Sequence, residues 1–192
     1  MMLPEISERY KALKNRPGSV IEISPESHTY AAEFARRIGG SSPSGSQTSG
    51  LKETPSGAAL IIDYGTSDTI PTSTLRGIMS HKLVSPLSSP GRVDVSADVD
   101  FTALAEAALD ASENVEVHGP MEQGLWLENM GIRQRADMLS KGAGEDGEKV
   151  KKAVERLVER GGGGMGRLYK VMAIVPESGG KRPVGFGGQI DG

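Results

Sequence analysis

Apolar positions along this chain fall into short unbroken runs and longer periodic stretches, parted by polar segments. Ala58, Ala59, Leu60, Ile61 and Ile62 form one unbroken run that stops at Asp63, Tyr64 and Gly65. That is how a strand covered on both faces meets solvent at its carboxyl end. Leu168 to Val175 is a second apolar run, and Val20 to Ile23 and Val115 to Val117 are shorter strand candidates, the last closing on His118, Gly119 and Pro120. Helical spacing links Tyr30, Ala31, Phe34, Ala35 and Ile38, with Ser24 as N-cap, Pro25 at the first helical position, and Gly39 and Gly40 at the end. The same spacing returns in Phe101, Leu104, Ala105, Ala108 and Leu109, which Asp98 or Asp100 can cap. A helix from Pro120 carries Leu125, Trp126 and Leu127, and another from Met130 carries Ile132, Ala136 and Leu139. A third, capped by Asp146 and stopped by Gly161, turns Val150, Ala153, Val154, Leu157 and Val158 to the core.

Strands alternating with helices predict α/β architecture with a largely parallel sheet. Residues 1–19 read as a polar lead-in with a short helix around Ser7 to Lys14, and 20–176 as the domain proper. From Ser41 to Gly57 the composition collapses to Ser, Gly, Pro and Thr, so this stretch is expected to be a disordered surface insertion. Residues 177–192 are Gly-rich and read as a flexible tail.

Composition narrows the functional classes. A net charge of -3 with 25 acidic residues and no basic stripe gives no electrostatic reason to expect nucleic acid. No apolar run approaches the about 20 residues of a membrane span. The absence of cysteine removes disulfides, thiolate nucleophiles and Cys-ligated zinc, and His28, His81 and His118 lack metal-ligand spacing. The first 14 residues include Glu5 and Glu8 and lack the Arg-rich, acid-poor character of a mitochondrial transit peptide.

Candidate chemistry gathers after the Ala58 to Ile62 run. In an open α/β sheet ligands bind at the carboxyl ends of the strands, which singles out Asp63 and Tyr64, either as pocket residues or as a strand end packed on a loop. Arg76 and His81 follow in the next connection, where His81 can act as a general base and both can equally anchor the loop. Asp94, Asp98 and Asp100 lie within seven residues; carboxylates so spaced can hold a guanidinium, or serve as caps and turn residues. Gly142, Gly144 and Gly147 match the G-x-G-x-x-G pattern, but a helix precedes them where a phosphate-binding turn needs a strand. Gly161 to Gly164 follow a helix and precede a strand, the reverse of what that turn requires.

The run ALIIDYG, then LRG with His81 shortly after, then PG, DVSADVDF and GPMEQGLWLENMGI, resembles the MidA-like methyltransferase family over about residues 17–141. The resemblance implies the carboxyl-terminal part of a Rossmann-like class I methyltransferase fold: a partial, mostly parallel sheet with flanking helices, its final strand inserted antiparallel. It also implies protein-arginine N-methylation in mitochondrial respiratory complex I assembly, S-adenosylmethionine as methyl donor, and a complex I subunit with a target arginine as substrate. Asp63, Tyr64, Arg76, His81, Asp94, Asp98 and Asp100 become the substrate-face candidates. In this match the family's S-adenosylmethionine loop and first strands fall ahead of Met1, so no cofactor-binding residue is expected in the chain. A non-catalytic assembly or partner-binding fragment is the alternative, and an inactive remnant with an exposed sheet edge a third reading.

Overall fold

The computed structural model describes residues 8–11, 16–40, 52–67, 69–161 and 164–187. In chain order the elements are α1 (Glu8–Lys11), α2 (Pro25–Gly39), β1 (Ala59–Thr66), β2 (Arg76–Met79), β3 (Lys82–Val84), β4 (Asp94–Ser96), β5 (Val99–Asp100), α3 (Phe101–Ala111), β6 (Val115–Glu122), α4 (Gln123–Asn129), α5 (Ile132–Ser140), α6 (Glu145–Val158), α7 (Met165–Leu168) and β7 (Tyr169–Pro176).

The main sheet has the order β5-β1-β7-β6. β5 runs parallel to β1, while β7 pairs antiparallel with both β1 and β6, so three of the four strands share one direction. The architecture is the expected mixed α/β sheet, mostly parallel by strand direction with the final strand reversed between its neighbours. α2 and α3 cover one face. Ala35, Ile38, Ala108, Val115 and Ile174 form one buried cluster there, and Ala31, Phe101, Leu104 and Met172 a second, joined by Ile61 and Val117 of the sheet. On the opposite face Val171, Ala173 and Phe186 pack with Met121 and Trp126.

Several expectations are corrected by this arrangement. β1 continues through Asp63, Tyr64 and Gly65 to Thr66 and is covered on one face only, because Leu60 and Ile62 are 49% and 44% exposed. Val20 to Ile23 forms no strand; Glu22 N–H instead donates to Pro71 O at 2.9 Å, a single hook to a loop. The polar connection after β1 holds a second sheet, β3-β2-β4, wholly antiparallel. Strands of three and four residues leave too short a periodicity to be read from sequence. β6 carries Pro120 past a register shift between His118 and Met121, so the following helix begins at Gln123. Gly144 rather than Asp146 is the N-cap of α6, Ala153 is exposed, and Tyr30, Phe34, Leu109 and Leu139 lie on solvent-facing sides of their helices. Leu168 closes the short helix α7 instead of opening β7.

The lead-in and the tail also contribute. Tyr10 of α1 is buried, and in the carboxyl segment Phe186 is buried against β7 while Asn129 Nδ2 donates to Gly185 O at 3.0 Å. Of the expected insertion at 41–57, residues 41–51 lie outside the described residues; residues 52–57 are anchored by Ser56 N–H donating to Ile38 O. No described helix is long and apolar enough to cross a membrane.

Phe101 explains why β5 sits where it does. Its side chain is fully buried, and a Cβ on Gly65 would meet its ring at 2.8 Å and Val99 O at 2.3 Å, so only glycine lets β1 and β5 approach. Phe101→Ala is expected to destabilise the protein by about 3–5 kcal/mol, read from the urea midpoint at constant slope. A loss below about 1 kcal/mol would show that this packing does not hold β5 to β1.

Candidate functional site

The carboxyl end of β1 delivers Tyr64, Gly65 and Thr66 to the junction between the two sheets, and β2 opens there with Arg76. Arg76 Nη1 donates to Asp98 Oδ1 at 2.7 Å and to Thr74 O at 3.1 Å. Its guanidinium carbon lies 4.9 Å from the centroid of the Tyr64 ring, which in turn is 4.0 Å from the ring of Tyr169. A planar cation is therefore held by an aromatic face, a carboxylate and a carbonyl.

Polar bonds extend this cluster to the amino-terminal segment. Asp98 N–H donates to the Thr74 hydroxyl at 2.8 Å. Glu22 Oε1 accepts from Thr74 N–H at 2.7 Å and from Leu75 N–H at 3.0 Å, and Glu22 Oε2 accepts from the Thr74 hydroxyl. Burial works to raise the Glu22 pKa, but the Thr74 hydroxyl, the Leu75 and Thr74 amides and the Arg76 charge outweigh it and hold the group below its ordinary value. Asp100 caps α3 by accepting from Ala103 N–H at 3.1 Å, and also accepts from Arg9 Nη1 at 2.8 Å and Tyr10 OH at 2.7 Å. Burial, followed by the bond to Asp100, pushes the Tyr10 hydroxyl pKa well up. Tyr169 is raised to about 12, first by burial and then by the neighbouring Tyr64 hydroxyl.

Two cavities open on either side of Asp98. One, of about 490 Å³, is lined by Glu22, Asp98, Asp100, Tyr10, Ser24 and His28 among others. The other, of about 420 Å³, is lined by Tyr64, Arg76, Asp98, Arg167 and Lys170 with Ile78, Leu83 and Leu168.

Of the substrate-face candidates, Tyr64, Arg76 and Asp98 meet directly, and Asp100 lines the first cavity beside Asp98. Asp63, His81 and Asp94 line neither cavity. Asp63 is exposed and accepts from Tyr64 N–H at 2.7 Å. His81 sits exposed in the β2–β3 turn at φ 61°, and Asp94 is exposed at the start of β4. Of the two carboxylates read as possible caps, Asp100 caps α3, while Asp98 pairs with the chain's own Arg76. Sequence reasoning missed Glu22, Thr74, Tyr10 and Tyr169. Glu22 carried a signal, a lone carboxylate alternating with Ile21 and Ile23; the others had none that local pattern could supply. Among the described residues no group of three or more His, Asp or Glu is placed to hold a metal ion.

The family model described as "Putative S-adenosyl-L-methionine-dependent methyltransferase" matches residues 1–121. The protein named protein arginine methyltransferase NDUFAF7 homolog, mitochondrial, of Drosophila melanogaster is 33% identical over 172 residues, covering 89% of this chain and 35% of that protein. The mitochondrial protein arginine methyltransferase of Mus musculus is 37% identical over 129 residues, covering 67% of this chain and 26% of the mouse protein. The chain thus spans about a third or less of the length of these curated relatives. Among solved structures, an uncharacterized Burkholderia thailandensis protein aligns with TM-score 0.67 at 20% identity, covering 94% of this chain and 46% of that one. A second Burkholderia thailandensis protein, bound to S-adenosyl-homocysteine, aligns with TM-score 0.60 at 23% identity, covering 85% and 37%. At these identities the likeness is one of fold.

Tyr169 and Glu22 predict opposite pH behaviour. The Tyr169 hydroxyl is raised when folded, so its contribution to stability is complete below the unfolded pKa of about 10 and is lost as pH rises through about 12. Tyr169→Phe is expected to remove this share of the alkaline dependence, leaving that of the raised Tyr10, in urea titrations run at several pH values. Glu22 is lowered when folded, so its contribution is complete above the unfolded value of about 4.3 and fades as pH falls through the lower folded value. The Thr74 and Leu75 amide resonances should report that titration, and Glu22→Gln should abolish it.

Proposed function

The chain belongs to the family of S-adenosyl-L-methionine-dependent methyltransferases, and from that membership we propose that it serves the N-methylation of arginine side chains in proteins. The observation that carries this reading is the way Tyr64 and Asp98 hold the guanidinium of Arg76 at the carboxyl end of β1. Methyl transfer to a guanidine nitrogen is an in-line displacement, which demands that the acceptor be held close and aligned. A carboxylate on the guanidinium orients it and stabilises the positive charge that moves onto it in the transition state. In this reading Asp98 takes that role and Tyr64 supplies the flat face. The relatives bear mitochondrial in their names, so mitochondria are the proposed place of action. The assembly of respiratory complex I is the proposed process, with a target arginine on one of its subunits.

A nucleoside methyl donor asks for a glycine turn from a strand into a helix, where backbone can approach it. The described strand-to-helix turns, β5 to α3 and β6 to α4, run through Asp100 and Glu122 rather than glycine. Gly142 and Gly144 lie between α5 and α6, and Gly147 lies in the first turn of α6. Among the described residues, then, neither strand-to-helix turn is a glycine turn of that kind.

A second reading, a non-catalytic assembly or partner-binding piece, is favoured by β1. Its outer edge is paired with β5 only at Gly65 and Thr66 among the described residues, and Leu60 and Ile62 lie uncovered on its face. Incubation with methyl-labelled S-adenosylmethionine and mitochondrial protein separates the two. Label on arginine side chains with the chain, reduced about a hundredfold by Asp98→Asn, is the expected outcome. A folded chain that neither binds S-adenosylmethionine calorimetrically nor transfers label, yet associates with a mitochondrial protein, would overturn catalysis in favour of the second reading.

A further inference from the structure

Resting on the reading of the cleft as an arginine site, we infer that Arg76 is an internal occupant of that site. Tyr64, Asp98 and Thr74 form a guanidinium cage that the chain's own arginine fills until a substrate arginine displaces it. Three contacts define the cage. Asp98 Oδ1 and Thr74 O accept from Arg76 Nη1 at 2.7 and 3.1 Å, and the Tyr64 ring lies 4.9 Å from the guanidinium carbon. An edge on a carboxylate and a face on an aromatic ring are what any arginine side chain seeks in a protein.

Arg76 occupies the cage incompletely. A guanidinium offers five N–H donors and can grip a carboxylate with two parallel bonds, yet Arg76 reaches Asp98 through one nitrogen and one oxygen. Asp98 Oδ2 takes no bond from the described residues. Ser96, paired in register with Arg76 and so on the same face of the small sheet, has a buried hydroxyl without a partner among the described residues. The Arg76 and Asp98 side chains are 26% and 25% exposed, and ion pairs in contact with water are weak and readily exchanged. Arg76 and Asp98 both line the smaller cavity, so withdrawing the Arg76 side chain enlarges that cavity beside Asp98. An incoming arginine that takes both oxygens of Asp98 holds the better position.

Calorimetric titration with N-acetyl-arginine amide, and with its uncharged citrulline counterpart at the same salt, tests this. Arg76→Ala is expected to bind the arginine compound about tenfold more tightly than the wild-type chain. It should gain nothing for citrulline, and Asp98→Asn in the same background should erase the gain. Arg76→Lys keeps a cation beside Asp98 but uncovers the Tyr64 face; its expected gain is about threefold, and it serves if Arg76→Ala does not fold. A folded variant without any gain overturns the inference. A measurement needing no variant is the Arg76 side-chain resonance of the wild-type protein under saturating N-acetyl-arginine amide. Its shift to the position of a solvated arginine supports displacement, and an unmoved resonance overturns it. Tighter arginine binding without methyl transfer in the labelling assay would keep the cage and sink the methyltransferase reading, whereas transfer without any gain in binding would do the reverse.

Discussion

The contact between Asp98 and Arg76 is the joint on which the two sheets meet. Arg76 opens β2 of the small antiparallel sheet, and Asp98 directly precedes β5 of the main one. By itself a half-exposed ion pair of this kind is worth about 1 kcal/mol or less. Its weight comes from company, since the Thr74 hydroxyl takes the Asp98 amide proton, Glu22 grips Thr74 and Leu75, and Asp100 gathers Arg9, Tyr10 and the first turn of α3. Glu22, Thr74 and Asp100 each bond to more than one neighbour, and such networks define one geometry better than isolated pairs do. The amino-terminal segment, the small sheet and the main sheet thereby share one polar centre.

Around that centre the apolar packing is lopsided. α2 and α3 seal one face of the main sheet with the Phe101, Leu104, Met172 and Ile174 clusters, while the other face is sealed over β7 by Phe186 and left open over β1. The closely packed face fixes where β1 and β5 lie, and through them the separation of Tyr64 from Asp98. Gly65 is the contact point, because the Phe101 ring and the Val99 carbonyl press against its bare Cα. The larger cavity reaches α2 and α3 through Ser27, His28 and Leu104, whereas Arg76 lines only the smaller one, beside Tyr64 and Leu83.

What the sequence disclosed follows from how far each signal reaches along the chain. α2 was legible because Pro25, the spacing of Ala31, Ala35 and Ile38, and Gly39 with Gly40 all lie within one element. The cap of α3 was legible for the same reason to within Asp98 or Asp100, and it is Asp100. The coverage of β1 was not, since Leu60 and Ile62 read as core until the element lying over them is known, and Tyr30 and Phe34 misled likewise on α2. The small sheet was hidden by strands too short to show a period. Within the site, Tyr64, Arg76 and Asp98 were each marked by position and residue type, but Glu22 joins them through Thr74, 52 residues away, and Tyr10 through Asp100, 90 residues away. Pairings of that range are tertiary facts, and no local pattern encodes them.

The place of β7 bears on how the chain is made. β1 and β6 do not touch one another; each pairs with β7, which ends at Pro176. On the ribosome β1 and β6 emerge before the strand that both pair with, and the helices α2 and α3 can pack on one another before β7 arrives beneath them. The main sheet closes only when the last strand slides between strands already waiting. Until then Ile61, Val117 and their neighbours stay exposed to whatever chaperone meets the nascent chain, because domains of this kind fold as units rather than strand by strand.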